Sequence, residues 1–537
     1  MNENAQAEVF GFLADPASYG LPPGERVTRI DTHAASVFLA GERALKVKRA
    51  VRFPFLDYAT LEKRKTACEA ELAVNAPAAP QIYRGVVAIT READGRLAIA
   101  AQGEPVEWAV EMRRFDETKT LDRLAGEIGP PLAQALGRAV AAAHARAPIA
   151  AAGPWLAALK DYLDQNRTAF AEMPELFAPD EAAALDRASR AAYARLIPLL
   201  EARGRLGRVR RGHGDLHLGN IVLIGGRPVI FDAIEFDPLI ATGDVLYDLS
   251  FLLMDLCERG NLQAANAVFN AYLAESRCID DLDGLSALPF FLSLRAAIRA
   301  KVIAARIERA AAAKRRALAD QARAYFAFAQ AAIAPPAAAA ASIAVGGLSG
   351  TGKSGLARTL AALVPPLPGA VVLRSDVERK ALFGFAESER LPPAAYAAPV
   401  NEAVYRIVLD KARRIVAAGH SVVVDAVFAR AEERTALAEA IKPASLHGLF
   451  LTAPLSLRLS RLGGRAGGGR GSDASDADER VARLQESYDL GRLEWRIIDA
   501  SGTPAQTLAR ARDALALDGI ALDGLALDGI APDGLAS

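Results

Sequence analysis

The run Gly347-Leu348-Ser349-Gly350-Thr351-Gly352-Lys353-Ser354 puts three glycines, a lysine and a terminal hydroxyl into eight consecutive positions. Glycines let backbone N–H groups turn inward around an anion. The Lys353 ammonium can then reach the β and γ phosphates, and the Ser354 hydroxyl can join the shell of a Mg²⁺ ion. An apolar run at 342–345 precedes the motif and a helix-prone run follows from 355. That order, strand then loop then helix, is what a phosphate loop requires, whereas a simple helix cap requires only the turn. The expectation is a nucleoside triphosphate site, with ATP and Mg²⁺ as the cofactors.

A second group of reactive side chains lies upstream. Residues 213–220 read His-Gly-Asp-Leu-His-Leu-Gly-Asn, followed by apolar runs at 221–224 and 228–231 around Gly225 and Gly226. Folded as a hairpin, this stretch brings Asp215, Asn220 and Asp232 to one end of two strands. Phosphoryl transfer to a hydroxyl needs a carboxylate to orient the attacking group or accept its proton, and oxygen ligands for Mg²⁺. These residue types supply both. The spacing resembles the catalytic loop of the aminoglycoside phosphotransferase and choline kinase group, relatives of the protein kinases. The resemblance implies Asp215 as catalytic base, Asn220 and Asp232 as metal ligands, and His213 and His217 as supports of the loop. It further implies that Lys46 holds the α and β phosphates and pairs with Glu71 on the next helix, and that 108–113 forms the hinge whose backbone meets adenine. Asp244 and Asp248 would anchor the loop. One departure stands out: residues 31–39, where that group carries a glycine-rich phosphate cover, contain no glycine.

Downstream of the phosphate loop, Ser375-Asp376 follows an apolar run, so Asp376 is expected at the carboxyl end of a strand beside the γ phosphate. There it could orient an acceptor hydroxyl, with Arg379 holding an acidic group of the same acceptor; capping of the following helix is the competing role. Asp425 ends the apolar run 422–424 in the manner of a Walker B carboxylate that supports Mg²⁺. Arg458 and Arg465 approach a glycine-rich segment at 466–471, and arginines on such a segment suit a lid that closes over phosphates. This order of motifs resembles the P-loop kinases that include gluconate kinase and the zeta-toxin-like and polynucleotide kinases. Over roughly residues 25 to 500 the whole chain resembles bacterial two-part proteins in which an aminoglycoside phosphotransferase-like domain is fused to a P-loop kinase or ATPase domain.

The elements that must position these groups follow from pattern. At 537 residues the chain is long enough for several cores. Short β-like runs at 36–39, 44–47 and 108–112 and a helix near 61–74 make a small lobe at about 25–115. A mostly helical large lobe at about 116–330 is interrupted by the strands of 210–232. Two prolines in an alanine run mark 331–341 as a linker. Alternating strands and helices at 342–515 predict a parallel sheet flanked by helices. The fold class is thus α/β and α+β, a bilobal protein-kinase-like domain followed by a P-loop NTPase domain. The five-residue repeat of 516–537 is expected to be a flexible tail without catalytic duty.

The balanced charge, 64 basic against 64 acidic residues, argues against a general grip on nucleic acid or anionic membrane. No apolar run approaches the roughly 20 residues of a membrane span, and Glu3 and Glu8 are unlike a secretory signal, so a cytoplasmic location is expected. Cys68, Cys257 and Cys278 are too widely spaced for a zinc or redox pair. The partner is expected to be a small molecule bearing a hydroxyl; the sequence does not specify the oligomeric state. Two functions remain open at this point: transfer of the γ-phosphate of ATP to that hydroxyl at one or both sites, or an ATP-driven switch that regulates a kinase-like recognition domain.

Overall fold

The computed structural model describes residues 3–22, 24–53, 56–335, 339–467, 474–520 and 522. They form two compact units: residues 1–128, 142–158 and 204–249 in one, and 129–141, 159–203 and 250–537 in the other. This division crosses the expected one. Most of the helical large lobe groups with the P-loop sheet rather than with the small lobe.

The first unit is built on an antiparallel sheet of six strands, ordered Thr28–Asp31, Ala35–Ala40, Arg43–Lys48, Glu104–Arg113, Tyr83–Arg91, Leu97–Ile99. Because side chains alternate along a strand, Arg43–Lys48 sends Leu45 and Val47 to one face and Lys46 and Lys48 to the other. Leu45 and Val47 pack with Phe38 and with Val9 and Leu13 of the helix Glu3–Ala14. The small lobe therefore starts well before residue 25. On the lysine face lies the helix Leu61–Asn75, opened by Thr60, whose hydroxyl accepts the Lys63 N–H at 3.3 Å. Its buried stripe, Arg64, Cys68, Glu71 and Asn75, has helical spacing but carries two charges.

Between 204 and 249, the strands Ile221–Ile224 and Arg227–Ile230 pair in register Ile221 with Ile230 through Ile224 with Arg227. Gly225 and Gly226, at φ 59° and 74°, make the two-residue turn whose twist suits such a hairpin. Asp215 and Asp232 flank this hairpin as expected.

The second unit carries a fully parallel sheet ordered Val371–Arg374, Val422–Asp425, Ser342–Gly347, Leu446–Thr452, Arg496–Asp499. Its core gathers Ile343, Val345, Leu356, Leu360 and Leu451, and also Leu515 and Leu522. The reading of 516–537 as a free tail is therefore corrected at its start: the helix Pro504–Leu517 passes residue 516, Leu522 is buried, and Asp518 pairs with Arg496 at 2.7 Å. Residues 523–537 lie outside the described residues. The linker also shortens, since the helix Ala312–Ile333 takes the first residues of 331–341, and 336–338 lie outside the described residues.

The edge strand of this sheet is covered by the helix Leu262–Ser276. The Asn270 carboxamide accepts the Val372 N–H at 2.7 Å and donates to the Ala370 carbonyl at 3.2 Å, while Asn266 donates to Ala370 and Pro368 carbonyls at 3.0 and 3.3 Å. Edge groups that would template another strand are thus satisfied by side chains. Among the described residues no helix is long and apolar enough to cross a membrane.

Candidate functional site

Two candidate sites stand on these frames. In the first unit, Lys46 donates to Glu71 Oε1 at 2.8 Å and to Asp232 Oδ1 at 2.6 Å. Strand, helix and hairpin end, distant in sequence, meet at one ammonium. Lys48, two residues on and therefore on the same face, donates to Glu71 Oε2 and to Glu235, which also accepts the Tyr58 hydroxyl at 3.2 Å. Burial works against charge here, yet Lys46 and Lys48 together hold the Glu71 carboxyl down to about 2. Burial likewise opposes the charge on Lys46, and Asp232 and Glu71 outweigh it, so its ammonium stays protonated well above the ordinary lysine value.

The loop before the hairpin is held by hydrogen bonds at both ends. Asn220 Nδ2 donates to the Asp215 carbonyl at 2.9 Å and to Asp215 Oδ2 at 3.2 Å. His213 Nε2 lies 2.9 Å from the Phe231 carbonyl, and the Asp215 N–H donates to His213 Nδ1 at 3.3 Å. His217 caps the following turn, accepting the Gly219 N–H at 3.0 Å, and its Nε2 stands 3.4 Å from Asp215. Buried Asp248 accepts the N–H groups of His213 and Gly214 at 2.8 and 3.0 Å, with His144 3.1 Å away. It anchors the loop as expected. Asp244 acts nearer home, accepting the Leu246 N–H at 2.9 Å. Asp215 and Asp232 remain 38% and 43% exposed. Asp232 holds φ at 62°, a strained setting for a non-glycine residue that fixes where its carboxylate points.

Two expectations for this unit change. Residues 108–113 lie inside the strand Glu104–Arg113, paired on both sides over Ala109–Met112, so that backbone serves the sheet. The segment that leaves the sheet begins at Arg114. In place of a glycine-rich cover, residues 31–35 make a tight turn in which the Thr32 hydroxyl accepts the Ala35 N–H at 3.0 Å and Ser36 donates to Asp31 at 2.7 Å.

In the second unit the phosphate loop joins the central strand Ser342–Gly347 to the helix Lys353–Ala361. Gly350 has φ 85° and no room for a side chain, since a Cβ there would sit 2.7 Å from the Arg458 carbonyl. Leu348 and Thr351 lock the bend, the Thr351 hydroxyl donating to the Leu348 carbonyl at 2.8 Å. Gly352 caps the helix at φ 91°, leaving Lys353 and Ser354 at its first two positions, half-buried. The Ser349 N–H donates to Gln485 Oε1 at 2.7 Å, so a side-chain oxygen sits where a phosphate oxygen would be welcome.

Around the loop, Asp376 is the second residue of the helix Ser375–Leu382 and does not cap it, the cap position being Arg374. Burial pushes the Asp376 carboxyl up, with Lys353 and Arg374 pulling the other way and Asp425 adding to the rise. Asp425 Oδ2 accepts from Arg374 Nε at 3.1 Å, and buried Oδ1 has no partner among the described residues. A buried carboxylate oxygen without a partner at a strand end fits a place in an Mg²⁺ water shell. Arg379 donates to the Ala395 carbonyl at 2.8 Å and lies 5.0 Å over the Tyr396 ring, its buried Nε still without a partner among the described residues.

Arg458 is placed differently from expectation. It is buried, and its guanidinium donates to the Ala482 carbonyl at 3.1 Å and to Glu486 at 2.8 Å. Its backbone supports the phosphate loop at Gly350 instead. Arg465 falls within the helix Leu455–Gly467, and its side chain and the lid segment 468–473 lie outside the described residues.

Two family models match the chain, one around each candidate site. Residues 36–288 match the phosphotransferase enzyme family, and residues 343–489 match an AAA domain. The chain joins a phosphotransferase-family domain to a P-loop domain. It is 29% identical over 508 residues to an uncharacterized protein of Mycobacterium tuberculosis, covering 90% of this chain and 94% of that one. A gluconokinase from Sinorhizobium meliloti is similar at 22% identity and a TM-score of 0.23, over 33% of this chain and 92% of its own. A choline/ethanolamine kinase family protein from Mesorhizobium loti is similar at 13% identity and a TM-score of 0.34, over 61% and 99%.

Sequence reasoning missed Lys48 and Glu235 in the phosphotransferase-family domain and Gln485 in the P-loop domain. Strand alternation signals Lys48, since residues two apart share a face. Glu235 and Gln485 reach their partners across 187 and 136 residues, and no local pattern marks them.

Proposed function

We propose that the phosphotransferase-family domain transfers the γ-phosphate of ATP to a hydroxyl of a small molecule, and that the P-loop domain is a second ATP site with the same reaction type. The observation that carries this reading is Lys46 bonded at once to Glu71 and Asp232, since phosphate-binding cation, its orienting carboxylate and a metal-facing carboxylate must converge for such a transfer. Lys46 would bind the α and β phosphates. Asp215 would take the acceptor's proton as its oxygen bonds to the γ phosphorus and the bond to ADP breaks. Asn220 and Asp232 would hold Mg²⁺, which neutralises charge on the phosphates.

In the P-loop domain, Lys353 and the backbone of 347–352 would hold the triphosphate, with Ser354 and Asp425 on the Mg²⁺ side. Asp376, with its raised carboxyl, would serve as proton acceptor for a second hydroxyl, and Arg379 Nε would bind an acidic group on that acceptor.

The test compares the parent with Lys353→Ala and with the pair Asp215→Ala and Asp232→Ala, following nucleotide binding and ADP production with and without a panel of hydroxyl compounds. Each change should remove one of two nucleotide-binding events, and acceptor-dependent ADP should fall with the site that uses that acceptor. ADP production indifferent to every acceptor would favour the regulatory switch instead.

A further inference from the structure

The helix Ser375–Leu382 has two working faces. Asp376, Arg379 and Lys380 share one; Val377, Glu378 and Ala381, by helical spacing, share the opposite one and line a separate cavity of 390 Å³. Every residue lining it belongs to the second unit. One wall is the edge strand Val371–Arg374 and the outer side of the phosphate-loop helix at Arg358 and Thr359. The other is formed by the start of the helix Pro130–Arg146 and by Leu262–Ser276 with the residues just after it. Asn266 and Asn270 clamp these walls together along the strand edge, and Arg414 pairs with Asp283 at 2.8 Å.

The chemistry of the lining is lopsided. Five basic side chains, Arg138, Arg277, Arg358, Arg374 and Lys411, face two acidic ones, Glu378 and Glu387. Glu378 is taken by Lys411, which reaches its two oxygens at 2.6 and 2.8 Å. The guanidinium groups of Arg138 and Arg277 have no partner among the described residues, and Arg277 holds the left-handed backbone setting, φ 50°, that ends its helix. Ala267, Ala271, Ile279 and Leu282 supply an apolar floor. A half-open cavity of this size, with an apolar floor and two exposed planar cations, Arg138 and Arg277, that have no partner among the described residues, suits a small molecule bearing a phosphate or carboxylate.

We propose that this cavity is an effector site for a small phosphate monoester, distinct from both catalytic sites. Arg374 gives the coupling: it lines the cavity and also holds Asp425 at 3.1 Å. An anion that draws on Arg374 releases the strand-end carboxylate toward Mg²⁺, so occupancy tightens Mg-ATP at the P-loop.

The test is calorimetric titration of the full chain with inorganic phosphate, ribose 5-phosphate, glucose 6-phosphate and 3-phosphoglycerate, with glucose as the uncharged control. At least one ester should bind while glucose does not. The variant Arg138→Glu with Arg277→Asn should weaken it about tenfold or more, the scale of one lost charge-assisted contact, while ATP binding in the absence of ester is kept. The ester should still bind Lys353→Ala, because the phosphate loop is not its site. Failure of all four probes, equal binding by the double variant, or loss of binding in Lys353→Ala overturns the site. Ester binding that leaves Mg-ATP affinity unchanged overturns the coupling through Arg374.

Discussion

Lys46 and Lys353 are both proposed to meet phosphates, and their surroundings are opposite. Lys46 is bonded to two carboxylates from separate elements, and a second lysine beside it shares one of them. Lys353 stands at a helix start, half-buried, with no carboxylate bonded to it among the described residues, and its loop is shaped by glycine and by Gln485. The first site is assembled by charge and is part of what holds its unit together. The second is assembled by backbone and can lose its lysine without losing its shape. A phosphate arriving at the first site must displace a carboxylate from Lys46; at the second it must displace a neutral carboxamide.

The widest separation should come from removing each lysine. Lys46→Ala leaves buried Glu71 with Lys48 alone and removes the cation from Asp232, and losing a charge-assisted hydrogen bond of this kind costs about 1.5–3 kcal/mol. It should lower the melting temperature of the first unit and abolish its nucleotide binding together. Lys353→Ala should weaken ATP binding at the P-loop by about 10- to 100-fold, the scale of charge-assisted contacts to phosphate, with thermal stability unchanged. Calorimetry on both variants checks the contrast; equal melting temperatures would erase it. Asp215→Asn belongs on the activity side of the same comparison. Loss of a general base costs about 10²–10⁴ in turnover, here without loss of nucleotide affinity.

The second unit's own stability has an unexpected contributor in Leu522, buried with Leu515 against the sheet core. Leu522→Ala should cost about 2 kcal/mol, at the lower end for a buried leucine. Truncation after 515 should lower the melting temperature of the P-loop domain at least as much, and unchanged melting in both would return 516–522 to the status of a tail.

Acid should take the two units apart in order. His420 is buried with Nε2 3.1 Å from the Gly369 carbonyl, and burial, against that bond, lowers its pKa from 6.5 to about 4. The folded state resists the proton that the unfolded chain accepts, so this contribution is complete above pH 6.5 and drains as pH falls toward 4. Glu71 is lowered from 4.5 to about 2, so its contribution to the first unit persists above pH 4.5 and is lost only below that, toward pH 2. Unfolding followed between pH 7 and 3 should show the P-loop unit weakening first, and His420→Gln should flatten its slope.

What could be read from the sequence was what lies contiguous in it. The phosphate loop and the 213–232 segment each carry their geometry in a short stretch, because glycine and turn chemistry are local. The Lys46 to Glu71 pairing came through the family resemblance, which needs only a strand and the helix that follows it. The cover of the edge strand by Asn266 and Asn270, the grouping of the large-lobe helices with the parallel sheet, and the burial of Leu522 were not legible. Each depends on a surface meeting a partner about a hundred residues or more away, and an asparagine on a helix looks like any solvated position until that partner is known. Arg458 misled for the same reason: an arginine near a glycine-rich run reads as a phosphate ligand, but Glu486 and the Ala482 carbonyl compete for it and win by burial.

The finest probe of the contrast is Gln485. Its Oε1 accepts the Ser349 N–H at 2.7 Å, occupying one of the donors that a bound phosphate would use. A phosphate oxygen must displace it, and a neutral hydrogen bond of this kind is worth about 1 kcal/mol. Gln485→Ala removes that competitor without touching Lys353, Ser354 or Asp425, so ATP affinity at the P-loop should rise about fivefold. The first site, whose competitor for Lys46 is a charged carboxylate, should respond to Asp232→Asn with weaker rather than stronger binding of Mg-ATP, because that carboxylate is also the proposed metal ligand. Titration of both variants decides the point. If Gln485→Ala binds ATP less well, the carboxamide supports the loop in its bound shape rather than standing in for the phosphate.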